Sequence, residues 1–183
     1  MILPMFRRSS RKHSIRALYG AIVAQARSAT FYADYGVPDT VEGRFDLIVL
    51  HLVLVLRRLS RADGAGRGLG QELFDAFCRD LEGNLREMGV GDLAVPKKMQ
   101  KFGEAFYGRQ AVYLAALAAP EERDFEKALA RNIFQVANID EGVARLAHYA
   151  RAALRELEDQ AEGDLLRGDV VFPNAKAFAH ARA

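Results

Sequence analysis

Apolar residues recur every three or four positions over most of this chain, the spacing of helices rather than strands. Ile15, Leu18, Tyr19, Ile22, Val23 and Ala26 form one such stripe and predict an amphipathic helix over about 12–28. Leu69, Leu73, Phe77, Leu81, Leu85 and Met88 form another, with Gly89 as its natural stop. Between them, Leu47 to Leu56 is apolar on every face and interrupted only by His51. A helix apolar all round is central in a bundle or lies in a membrane. This run is too short for a bilayer, which needs about 20 residues. The pattern therefore predicts a buried axle over about 40–59, closed by Arg57 and Arg58. Gly36 and Pro38 stop whatever precedes it, and Asp39 with Glu42 has the spacing of an N-cap and capping box.

Downstream, Pro96 suits the first turn of a helix carrying Met99, Phe102, Phe106, Tyr113 and Leu117. Glu121, Glu122 and Asp124 open a further helix that runs to about Asn138. Asp140 to Gln160 is the last long one. Residues 28–35 read either as a last turn or as a short second helix, and the glycine-rich run 61–68 reads as a loop. Beyond Gly163 the periodicity fades, with Asp169 to Phe172 a candidate extended piece. The expected fold is all-α: a single compact bundle of about six helices around a buried apolar helix. Its expected organisation is a basic leader over 1–11, a helical domain over 12–163 and a loosely held tail over 164–183.

Composition narrows the chemistry. The 183 residues suffice for one core, and a net charge of +2 names no partner. With Cys78 the lone cysteine, no disulfide can form within the chain. The apolar start Met1 to Phe6 is too short for a signal-peptide core, which makes the cytoplasm the expected compartment. No phosphate-binding loop or serine-nucleophile motif is present. His51 has Leu54 and Val55 where a helical metal partner would stand, and His13, His148 and His180 are isolated. We therefore expect no metal, no cofactor and no enzymatic activity; His51 reads as a hydrogen-bonded core histidine, with haem ligation as the competing reading. Basic residues gather at Arg7, Arg8, Arg11, Lys12 and Arg16, at Arg57, Arg58 and Arg61, and at Lys97, Lys98 and Lys101. The first cluster contains no acid, and Arg7, Arg8, Arg11 and Lys12 are its candidates for contact with ribosomal RNA or anionic headgroups.

Aromatics and glycines concentrate in FYADYGVPDT (31–40) and GEAFYGR (103–109), a composition suited to holding an apolar peptide or helix. These motifs, with LYGAIVAQAR (18–27), the apolar axle and LFDAFCRDLEGNLREMGVGDLAVPKKMQKFGEAFYGR (73–109), resemble the ubiquinol–cytochrome c chaperone family. The resemblance runs from about Leu18 to Leu117; the last third matches only in helical character. It implies an all-α, non-enzymatic protein that binds newly made cytochrome b and promotes assembly of the ubiquinol–cytochrome c reductase. It further implies a ribosome contact and a small partner protein, as in the mitochondrial member. The apolar Met1 to Phe6 ahead of the first basic cluster adds the expectation of a peripheral place on the cytoplasmic face of the inner membrane. The candidate client-binding residues are Phe31, Tyr32, Tyr35, Val37, Pro38 and Asp39 from one motif. Lys97, Lys98, Met99, Phe102, Phe106, Tyr107 and Arg109 come from the other, with Met88 beside them. The alternative function is a ribosome- or nucleic-acid-binding helical module, which predicts steep salt dependence.

Overall fold

A computed structural model describes residues 3–62 and 64–179 of the chain, with side chains from Ser10 onward. Its elements are α1 (Leu3–Ala26), α2 (Ala29–Ala33), α3 (Val41–Ser60), α4 (Gly64–Glu87), α5 (Val95–Ala118) and α6 (Glu122–Leu129). A π-helical turn (Ala130–Phe134), α7 (Glu141–Asp159), α8 (Glu162–Arg167) and a 3-10 turn (Ala175–Phe178) follow. The fold is all-α, with no strand among the described residues.

Helix α3 is the axle. It packs on α1, α4, α5 and α7, and Leu47, Val49, Leu50, Leu52, Val53, Leu54 and Val55 are fully buried. Each such side chain contributes about 1.5–3 kcal/mol relative to an exposed one. The helix starts one residue later than the capping-box spacing suggests. Thr40, not Asp39, is the N-cap, its Oγ1 accepting from the Gly43 amide at 3.1 Å. The Asp39 carboxylate instead accepts from Arg44 Nε at 2.7 Å, and this bond holds its pKa below the usual carboxylate value.

Four expectations need correction. The segment expected as a leader is helical from Leu3 onward; Pro4 is tolerated there because the first turn has no amide to lose, and Arg11 pairs with Glu72 of α4 at 2.6 Å. The run 61–68 is not a loop throughout, since α4 begins at Gly64. Within it Gly66 serves close packing, since a β-carbon there would collide with that of Ala62. The helix expected to reach Asn138 ends early, in a π turn that stops at Gln135 with φ 57°. Finally, residues 164–179 are not loosely held. Leu165, Ala175 and Ala179 are buried, and Gln160 pairs with Val171 through both its amide nitrogen and its carbonyl, each at 2.9 Å. Tyr35 donates to the Ala175 carbonyl at 2.7 Å, and Gln25 Nε2 donates to that of Pro173 at 3.3 Å. This segment is a strap across α1, α2 and α7.

Candidate functional site

The N-terminal half of α3, the C-terminal half of α4 and the middle of α5 leave a groove of about 650 Å³ between them. Val41, Phe45 and Ile48 come from α3, Leu81 and Leu85 from α4, and Phe102 from α5, with Met88 just past the end of α4. Val41 and Met88 are 74% and 65% exposed, which is unusual for side chains of this size beside a filled core. Phe45 anchors the wall, its ring 5.2 Å from Phe102 and 6.0 Å from Phe77. Charge is confined to the rim, at Arg27, Arg44, Glu42 and Glu87, and to one pair beneath it.

That pair is Asp46 and Arg109, 2.9 Å apart, with the carboxylate almost fully buried. Burial pushes the Asp46 pKa up to about 6 against the opposing pull of Arg109. Arg109 Nε and the hydroxyl of Tyr113, one turn further along α5, are buried and have no hydrogen-bond partner among the described residues. Such groups cost about 1–3 kcal/mol when left unmade. The arrangement can hold an apolar segment by shape and offer one polar group to it, as ligand grooves commonly do.

The candidate residues drawn from the sequence divide among three environments. Phe102 and Arg109 line the groove. Tyr32 and Asp39 line a neighbouring cleft that shares Arg27 and Arg44 with it. Tyr107 is exposed and lines a smaller pocket of about 260 Å³ with Phe74. Pro38 and Met99 are half-buried, while Lys97 and Lys98 are exposed. Phe31, Tyr35, Val37 and Phe106 are core residues, and of these only Phe106 reaches the wall of that smaller pocket. Phe31 packs within 4.8–5.6 Å of Tyr149, Tyr35 and His51, and Phe106 is enclosed by Phe74, Phe77 and Tyr107. Lys12 is exposed, Arg11 is paired with Glu72, and Arg7 and Arg8 lie outside the described side chains.

Sequence reasoning missed Val41, Phe45, Asp46, Ile48, Leu81 and Leu85 as site residues. Asp46 carried a usable signal, a carboxylate among apolar neighbours at the start of the axle. The basic group at 57–61 is structural. Arg58 donates to the carbonyls of Leu157 and Gln160, both at 2.9 Å, and so caps α7. Arg61 pairs with Glu158 at 2.8 Å. His51 is a core residue. Its Nδ1–H donates to the Leu47 carbonyl at 2.7 Å, which leaves Nε2 to accept from the Tyr149 hydroxyl at 2.9 Å. That hydroxyl in turn accepts from Gln25 at 2.9 Å. Among the described residues no group of His, Cys, Asp and Glu side chains is arranged to hold a metal, and no helix is long and apolar enough to cross a membrane.

The ubiquinol-cytochrome C chaperone model matches residues 33–172. The chain is also similar to the ubiquinol-cytochrome-c reductase complex assembly factor 1 of Xenopus laevis. The two are 25% identical over 158 residues, which cover 85% of this chain and 78% of that protein. In three dimensions it is similar to the crystal structure of the Cbp3 homologue from Brucella abortus, with a TM-score of 0.86 and 36% sequence identity. That match covers 96% of this chain and 98% of the other. The family match spans the axle, helices α4 to α8 and the first part of the strap, and on that extent the chain belongs to the ubiquinol-cytochrome C chaperone family.

Proposed function

We propose that this protein is an assembly chaperone for the ubiquinol–cytochrome c reductase and that it binds newly made cytochrome b in the groove between α3, α4 and α5. The observation that carries the reading is the apolar lining of that groove, with Val41 and Met88 left exposed at its edge. Unassembled membrane helices present apolar ridges with few polar groups. A chaperone for them needs an apolar slot and a sparse polar complement. Phe45, Ile48 and Phe102 supply the first, and Asp46 with Arg109 supplies the second. Methionine at the mouth adapts to ridges of differing shape.

The test is photocrosslinking in cells. Photoreactive residues replace Val41, Met88 and Phe102 at the groove and, as controls, Arg155 and Glu156 on the exposed face of α7. The expected result is adducts to cytochrome b from the groove positions and few from the controls. Normal reductase levels in a deletion strain would overturn the assembly role. Reductase that depends on the protein, without groove adducts, would overturn the choice of surface.

A further inference from the structure

The corner between α4 and α5 carries a combination of side chains of which only Met88 is shared with the client groove. Leu93, on the short connection 88–94, is 99% exposed, the most exposed large apolar side chain among the described residues. Met88 begins the same connection at 65% exposed. Immediately after it, the first turns of α5 present Lys97, Lys98 and Lys101, all exposed. None of the three makes an ion pair among the described residues, whereas Asp92 faces Arg86 Nε at 3.5 Å. From Arg86 to Lys101 the chain holds four cations against two acids, Glu87 and Asp92.

The lysines are also at the unfavourable end of their helix. Helix α5 has no acid in its first turn, and its N-cap, Ala94, has no side chain that can accept from the amide of Lys97. Cations beside the positive end of the macrodipole weaken a helix, and an external anion there relieves both the dipole and the lysines. An exposed leucine and methionine ringed by unpaired lysines match the interfacial layer of a bilayer, with acyl chains beneath and phosphates above.

We propose that the α4–α5 corner is a docking point for an anionic lipid surface: Leu93 and Met88 enter the interfacial layer, and Lys97, Lys98 and Lys101 lie among the headgroup phosphates. A nucleic acid would satisfy the lysines but give the two apolar side chains nothing to bury against. Docking in this way brings the Met88 edge of the groove to the membrane, where an inserted client is reached; only this last consequence rests on the proposed function.

The test is co-sedimentation of the full chain with vesicles of phosphatidylcholine, alone or with about one third phosphatidylglycerol. Binding to the anionic vesicles is expected to weaken with salt. The triple variant Lys97→Gln, Lys98→Gln, Lys101→Gln should bind roughly a hundredfold more weakly, at about fivefold per lysine. Leu93→Ser should lose about tenfold through the missing apolar burial. These positions are exposed, so circular dichroism and melting should match the parent. Failure of the parent protein to bind, or equal binding by both variants, would overturn the proposal. An RNA oligonucleotide bound through the lysines with no effect of Leu93→Ser, and no such effect on vesicles, would overturn it in favour of a nucleic-acid surface. The vesicles contain no cytochrome b, so any of these failures leaves the groove reading to its own crosslinking test.

Discussion

His51 and Asp46 are both buried on α3, and the fold treats them in opposite ways. His51 has a partner for each ring nitrogen, and the chain Leu47–His51–Tyr149–Gln25 passes every proton in one direction. Asp46 has Arg109 at 2.9 Å, but the guanidinium Nε and the nearby Tyr113 hydroxyl remain unpartnered. The first arrangement is closed and ties α1, α3 and α7 together. The second lies where the core meets the groove and keeps hydrogen-bonding capacity in reserve. Buried polar networks rigidify when complete and cost stability when they are not. The difference sets a completed polar network against an incomplete one, within one helix.

The largest expected effect is on the closed side. His51→Ala removes a fully buried ring and leaves the Tyr149 hydroxyl without its acceptor, so stability should fall by about 3–5 kcal/mol in denaturant unfolding. A loss under about 1 kcal/mol would show the network to be dispensable.

Next in size is a pH effect that sets the two residues against each other. Burial holds His51 at about 4, below its ordinary 6.5, so its contribution is present above pH 6.5 and lost as pH falls through 4. Asp46 is raised to about 6, so its contribution is fully present below its ordinary 3.8 and is lost as pH rises through 6. Between these limits the two slopes oppose. Asp46→Asn should leave the His51 slope uncompensated, and its stability should drop relative to the parent by roughly 2–3 kcal/mol on acidification from pH 6.5 to 4. Parallel profiles for parent and variant, measured by urea unfolding, would contradict the assignment.

The smallest effect sharpens the contrast, because one substitution should have opposite signs at two sites. Tyr149→Phe breaks the closed chain and should cost about 1–2 kcal/mol. Tyr113→Phe removes an unpartnered hydroxyl and should be neutral or stabilising by up to about 1 kcal/mol. Equal losses at both positions in thermal melting would mean that Tyr113 is satisfied in solution.

The all-round apolar run 47–56 predicts the axle, and the axle is there, because no other environment accepts such a helix. Helix periodicity along one strand of sequence says less about which neighbour a side chain meets. Phe102 and Phe106 share a face of α5, yet Phe102 lines the groove while Phe106 is enclosed by Phe74 and Phe77 of α4. That distinction depends on where α4 crosses α5, which no local pattern encodes. The same limit hid the groove residues of α3 and α4, since each reads as ordinary core alone. The strap escaped for a different reason. Its backbone is held by the side chains of Gln25, Tyr35 and Gln160, so it needs no periodicity of its own. At the start of α3, Asp39 and Thr40 both suit an N-cap, and the choice fell to Thr40 because Arg44 engages Asp39.

The strap also sets a schedule for the birth of the protein. Tyr35 waits for the carbonyl of Ala175, 140 positions later in synthesis. Gln25 waits for that of Pro173 across 148 positions. At about 5–20 residues per second, the ribosome takes roughly 7–30 s to deliver those partners. Through that interval the sites on Gln25 and Tyr35 that hold the strap stay open, and the nascent chain must itself be kept from sticking to others. The protein thus completes its own core only after residue 175 has been made.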